Sequence, residues 1–241
     1  MYELLEFDLG RDALKYIIKT LSLKKLHIPY YLCDVVRHTL FQEGCKPIFY
    51  HIDDNFLPDK AFNKEDFILY PNYWGILQTN VKKLASTYPH LIVDNAHAYY
   101  DEPEGYACFN VGHKFGYEKS QLWINIQNAN EKPPAKKLIQ TVRQEIFFKL
   151  HAKYKNANLL KIDNFVNAAV ITKASRSNCT TPNFAPYIYP YLAKSTNDAD
   201  DLVKELKEEG KTVYRYWSPL PKSFNEYKFY SRLVPIPILP D

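Results

Sequence analysis

The sequence predicts an α/β protein, a mostly parallel sheet flanked by helices with a small C-terminal α/β lobe. Three observations carry that expectation. Over the first half of the chain, short apolar runs with strand character alternate with segments of helical spacing. A polar, proline-bearing stretch, NANEKPPAKK (residues 128–137), then interrupts the pattern. Finally, DADDLVKELKEEGKTVYRYW (residues 198–217) reads as a capped helix, a turn at Gly210 and a strand. Strand–helix alternation favours parallel strands, because each crossover helix returns the chain to the same end of the sheet and covers one of its faces.

GRDALKYIIKTLSLKKL (residues 10–26) places Ala13, Leu14, Ile17, Ile18 and Leu21 on one helical face, with Asp8 and Asp12 near its start. LHIPYY (26–31) and KPIFYHI (46–52) read as strands separated by CDVVRHTLFQEG (33–44), a helix closed by Gly44. DFILYPNYWG (66–75) and HLIVDNA (90–96) repeat the theme around the helix NVKKLASTY (80–88), each apolar run ending in polar residues. After SQLWINI (120–126), AKKLIQTVRQEIFFKLHAKY (135–154) reads as a long helix, so the boundary between lobes is expected near residue 130, with lobes 1–130 and 131–241. Residues 160–186, rich in Asn, Ser and Thr, read as a long irregular loop.

The 241 residues, 46% hydrophobic and 24% charged, suffice for one large core or two modest ones. The net charge of +4 arises from 31 basic residues interspersed among 27 acidic ones, which leaves no basic stripe for nucleic acid. Cys33, Cys45, Cys108 and Cys179 lack CxxC spacing, and His90, His97, Cys108 and His113 form no compact ligand pair, so reduced thiols are expected in place of disulfides or zinc. No apolar stretch approaches the roughly 18 residues of a membrane span. The opening MYELLEFDLG is acidic, unlike a targeting leader, and a cytoplasmic location is expected. No GxGxxG follows a strand, which argues against a dinucleotide fold.

VDNAHAYYDEPEGYACFNVGHKFG (residues 93–116) carries the chemistry. It places Asp94 at the end of an apolar strand, His97 three residues later and Lys114 within a glycine-flanked turn. In parallel sheets ligands gather beyond the carboxyl ends of the strands, where Asn72, Tyr73 and Asp94 are expected. Pyridoxal phosphate needs a lysine for a Schiff base and a carboxylate to keep its ring nitrogen protonated, roles that Lys114 and Asp94 can fill. It also needs an aromatic ring on its face and donors for its phosphate. Tyr31, and Gly10 with Arg11 at a helix start, are placed for those two tasks. Singly, each residue has an ordinary role: a solvated lysine, a turn-capping aspartate, a packing histidine or tyrosine.

Their order gives the series its meaning. The chain resembles the DegT/DnrJ/EryC1/StrS sugar aminotransferases, pyridoxal-phosphate enzymes of fold type I, through GRDAL, IPYYLCDVVRHTLFQEGCKPIFYHID, PNYWG, IVDNAHAYY and FNVGHKFG, and more loosely through the terminal RLVPIPILPD. The likeness covers most of residues 8–125 and, loosely, 187–241. It implies the fold type I large lobe with a reduced second lobe, and pyridoxal 5′-phosphate as cofactor. Lys114 would be the Schiff-base lysine and proton shuttle, Asp94 the partner of the pyridine nitrogen, and His97 a neighbour of the ring and its 3-hydroxyl. Tyr31 would stack on the ring, and Gly10, Arg11 and Asn110 would bind the cofactor. It also implies a homodimer that moves an amino group from glutamate to a nucleotide-linked keto-sugar, in polysaccharide or secondary-metabolite synthesis.

The departures are equally specific. Asn110, Val111 and Gly112 stand where the family carries a phosphate-binding Ser or Thr before the lysine, Arg11 replaces a common hydroxyl residue, and YEKSQ replaces a glycine-rich run. Arginine can hold phosphate bidentately. The competing expectation is a homologue that keeps the fold and serves as a binding or partner subunit without this chemistry.

Overall fold

A computed structural model describes residues 2–125, 138–154, 186–217 and 219–238, excluding the side chains of residues 138–142 and 144. Seven strands form one sheet: β1 (Tyr2–Phe7), β2 (Lys25–Pro29), β3 (Lys46–Tyr50), β4 (Ile68–Pro71), β5 (Leu91–Asn95), β6 (Ala107–Asn110) and β7 (Ser120–Asn125), in the order β1-β7-β6-β5-β4-β2-β3. The pairs β3–β2, β2–β4, β4–β5 and β5–β6 are parallel, whereas β7 is antiparallel to both β6 and β1. Only β7 therefore runs against the rest, and the mostly parallel sheet expected from the sequence is present.

Helix α1 (Gly10–Thr20) buries Ala13, Leu14, Ile17 and Ile18 against the sheet. With α2 (Asp34–Gln42) it covers one face, over a cluster that includes Leu26, Ile28, Ile92, Phe109 and Leu122. The helix is shorter than its apolar spacing suggested. Ser22 adopts φ +50°, and Lys25–Leu26, expected at its end, instead begin strand β2, paired with Lys46–Pro47 of β3. Strand β1 was not anticipated. It is a half-buried edge strand whose Glu3, Leu4, Leu5 and Glu6 show no alternation.

The other face carries α3 (Gln78–Thr87), α4 (Leu138–Tyr154) and the C-terminal residues. Here Tyr70, Trp74, Val81, Val93, Phe147, Tyr189 and Phe229 belong to one continuous apolar cluster. The C-terminal part holds the antiparallel pair β8 (Ile188–Leu192) and β9 (Leu233–Pro237), with helices α5 (Thr196–Glu208) and α6 (Tyr227–Arg232) between them. Ser195 and Asp198 close a reciprocal capping box at the start of α5, with both bonds 3.1 Å.

The strand expected over TVYRYW (residues 212–217) is corrected: that segment is not in a ladder. Its Tyr216 carbonyl accepts from Tyr31 Oη at 3.1 Å, and Arg215 donates to the Ser231 carbonyl, so its polar groups are used singly. The partner of β8 is instead the proline-rich LVPIP run, where Pro190 faces Pro235. A two-stranded ribbon has two edges and tolerates residues without an N–H. The expected lobe boundary and most of the 160–186 loop lie outside the described residues.

Asn72, just past β4, ties several loops together. Its backbone N–H donates to the Asp94 carbonyl at 3.0 Å, its Oδ1 accepts from Leu77 N at 3.0 Å, and its Nδ2 donates to Asp101 Oδ2 at 2.7 Å. Burial pushes the Asp101 carboxyl up to about 8. The folded chain therefore keeps a proton that the unfolded chain has released between about pH 4 and 8, and stability falls as pH rises through that window. Asp101→Asn preserves an acceptor oxygen for Asn72 and removes the titration. The variant should melt about 2–4 °C or more above the parent at pH 9, the gap closing toward pH 4. A gap independent of pH would contradict this account.

Candidate active site

Because β1, β2, β4, β5 and β6 run in one direction, their carboxyl ends share one rim. The residues that follow them, Gly10 after β1, Asn72 after β4 and Lys114 after β6, lie along that rim, as does Asp94 near the end of β5. In an open α/β sheet this is where connecting loops can present chemistry without disturbing the core.

A cavity of about 310 Å³ opens there, with Gly10, Arg11, Cys33, Val36, Asp94 and Lys114 in its wall. Ala96 and Phe109 add apolar surface. Lys114 sits in a short 3₁₀ turn (Gly112–Phe115) that the sequence holds tightly. Gly112 N donates to Ser120 Oγ at 3.3 Å, and Tyr117 N donates to the Gly112 carbonyl at 3.0 Å. A Cβ on Gly112 would lie 2.0 Å from the Lys119 carbonyl oxygen, so only glycine lets the turn pack this closely on the start of β7. Gly116 closes the turn at φ +78°.

Electrostatics prepare the pair. Burial lowers the Lys114 amine below the usual lysine range, opposed by the nearby charges of Asp94 and Cys33. Burial raises the Asp94 carboxyl, opposed by the Ala96 N–H that donates to Oδ1 at 2.9 Å and by Lys114. Each group thus supplies part of the other's missing hydration. At Gly10 a Cβ would meet Val111 Cγ2 at 2.6 Å and the Asn110 carbonyl at 3.1 Å, so glycine allows the start of α1 to approach the end of β6. No side chain caps α1, which leaves its first N–H groups free to meet an anion.

The structure brings Gly10, Arg11, Asp94 and Lys114 together and leaves Tyr31, His97 and Asn110 out of this wall. Tyr31 is fully buried, its ring edge-on to Trp217 at 4.6 Å, because the C-terminal segment packs over it. His97 is buried in a stack with Tyr187 at 4.8 Å, Tyr216 at 5.6 Å and Trp217 at 6.0 Å. Burial holds its imidazole well below the usual range, so it is neutral near pH 7. The Asn110 amide is spent on Gln121 of β7, accepting from its N–H at 2.8 Å and donating to Oε1 at 3.2 Å. The expected ring-stacking role of Tyr31, the ring contact of His97 and the cofactor contact of Asn110 are therefore not what this geometry displays. Conversely, sequence reasoning missed Cys33, Val36, Ala96 and Phe109 in the wall. Ala96 was findable, lying two residues past the strand-end aspartate, whereas nothing local distinguishes Val36 from any helix valine.

No protein-family model matches the chain, and no curated protein matches it in sequence. Solved structures do match in shape. Spr1654 of Streptococcus pneumoniae, assigned as a sugar aminotransferase and solved in PMP form, superposes at TM-score 0.68 with 13% identity over 99% of this chain and 82% of its own. A DegT/DnrJ/EryC1/StrS aminotransferase of Brucella abortus matches at 0.66 with 12% identity, over 98% and 80%. Helicobacter pylori PseC, an aminotransferase involved in pseudoaminic acid biosynthesis, matches at 0.63 with 13% identity, over 98% and 81%. The chain has the fold of the pyridoxal-phosphate-dependent aminotransferases. Within that class, these sugar aminotransferases are among the structures it resembles over nearly its whole length.

Proposed function

We propose that this chain is a pyridoxal-phosphate-dependent aminotransferase that passes an amino group from glutamate to a nucleotide-linked keto-sugar. The observation that carries the reading is the convergence of Lys114, Asp94 and the start of α1 on one cavity at the carboxyl rim. The residues fit the cofactor: a buried carboxylate for a protonated ring nitrogen, an amine of lowered basicity, and a helix N-terminus that a Cβ at Gly10 would crowd. When bound, the cofactor would supply an electron-accepting ring able to stabilise negative charge on the substrate carbon.

The chain's own residues would do the rest. Lys114 would hold the cofactor covalently and then move the proton between the substrate α-carbon and cofactor C4′. Asp94 would keep the proton on the ring nitrogen. Gly10 and Arg11 would bind phosphate through backbone N–H groups and a guanidinium. Val36 and Ala96 would press on the ring and exclude water. Residues 1–130 would form the cofactor lobe and residues 131–241 the second lobe, in a cytoplasmic homodimer serving polysaccharide or secondary-metabolite synthesis. A second reading, a non-catalytic partner subunit, draws on the placement of Tyr31 and Asn110 away from the cavity.

One experiment separates them. Protein loaded with pyridoxal phosphate should show a visible absorbance band, and borohydride should convert it into a stable adduct on the peptide containing Lys114. Loading should also slow maleimide labelling of Cys33, a half-buried free thiol in the cavity wall, several-fold. No band, no adduct and unchanged labelling would leave the partner-subunit reading standing.

A further inference from the structure

Lys114 borders two cavities. The second, about 200 Å³, lies on the side of the C-terminal residues, and its wall includes Tyr187, Thr212, Tyr214, Tyr216 and Pro237. Lys114 is the only residue named in the walls of both. The second wall is preformed. Tyr187 N donates to the Trp74 carbonyl at 2.8 Å, the Tyr187 and Tyr216 hydroxyls are hydrogen-bonded to each other, and the Tyr216 carbonyl accepts from Tyr31. Behind it, the buried Arg143 guanidinium lies 4.8 Å over Phe115 and donates to the Ile238 carbonyl at 3.0 Å, fixing α4 to the residue after β9. The Lys114 amine stands 5.2 Å from the Tyr187 ring centre.

Three tyrosines and a threonine make a chemically narrow offer. Each tyrosine presents an apolar face and a hydroxyl tip, which complements a ligand with C–H faces and a hydroxylated edge. Among the described residues no Asp, Glu or Arg lines the cavity, so a carboxylate drawn into it would find Lys114 alone against the loss of its hydration. Pockets enclosing drug-sized ligands run to about 300–1,000 Å³, and this cavity falls below that range. It has room for one ring and not for a whole nucleotide-linked sugar.

We infer that this second cavity is the acceptor subsite and that it receives a single uncharged, hydroxylated ring, the rest of the acceptor lying outside past the exposed Tyr214. The inference rests on the transaminase reading above and assigns ring selectivity to Thr212, Tyr187 and Tyr216. Saturation-transfer NMR with methyl gluco-, galacto- and mannopyranosides, and with succinate as a dicarboxylate of similar reach, tests it without turnover. Ring protons of at least one pyranoside should be saturated by the parent protein. Thr212→Val with Tyr216→Phe should reduce that signal at least fivefold, and Tyr214→Ser, at an exposed position, should reduce it without unfolding the chain. Succinate should give the weaker signal. The inference is overturned by unsaturated ring protons in the parent, by succinate matching the sugars, or by variants that behave as the parent. The visible band reports independently: a band without ring binding removes only the subsite, and ring binding without a band removes only the cofactor reading.

Discussion

Lys114→Ala should lower transamination by at least about 10³-fold, within the 10²–10⁴ attributable to a positioned proton-transfer group alone, and should abolish both the visible band and the borohydride adduct. Lys114 is half-buried between two cavities, its amine held below the ordinary range by burial. The neutral amine is the nucleophile, so the same burial that costs stability to a charged lysine prepares it to react with an aldehyde. Lys114→Arg is the informative control. It keeps a positive charge near Asp94 and no usable nucleophile, so it should fold at least as well as the alanine variant and be equally inactive. Retained turnover in either variant would remove Lys114 from the mechanism.

Gly112→Ala should be the most damaging single-methyl change in the chain. The new Cβ would lie 2.0 Å from the Lys119 carbonyl oxygen and 2.6 Å from its carbon, both backbone atoms that cannot rotate away. Overpacking commonly costs about 1–3 kcal/mol where side chains can adjust. A backbone clash should reach the upper end of that range, lowering the melting temperature by about 6–12 °C for a chain of this size. The turn carrying Lys114 must shift, so adduct formation should fall in parallel. Gly116→Ala offers the contrast: φ is +78° with open space around it, so only the left-handed conformation is penalised, by about 1–2 kcal/mol. Equal melting temperatures for the two variants would refute this assignment of close contact.

The rim of the sheet was legible because its signals are local and ordered. Asp94 closes an apolar run, Gly10 opens a helix, and Lys114 sits between glycines, each readable within a few residues of sequence. What proved illegible depends on packing between distant segments. Tyr31 stands at a strand end as expected, yet its neighbours are Trp217 and Phe229, nearly 200 residues away, and they take the ring for the core. His97 is likewise claimed by Tyr187 and Tyr216, and Asn110 by Gln121 on a neighbouring strand. TVYRYW carries the composition of a strand, but strand formation needs a ladder partner, and β8 had already taken β9. Residue identity announced the chemistry, and cross-chain contacts decided which side chains were free to take part.

The apolar cluster that runs from Tyr31 and Trp74 through Phe147 and Tyr189 to Phe229 also limits how such a protein can be dismantled. Cutting after β7 to obtain the cofactor-binding part alone would strip the sheet of its cover on one face and expose Tyr31, Tyr73 and Trp74, all now fully buried. Such a fragment would meet water with an aromatic surface and associate with itself. Changes of specificity are therefore better sought by redesigning Thr212, Tyr214 and Tyr216 in place than by exchanging the C-terminal half as a module.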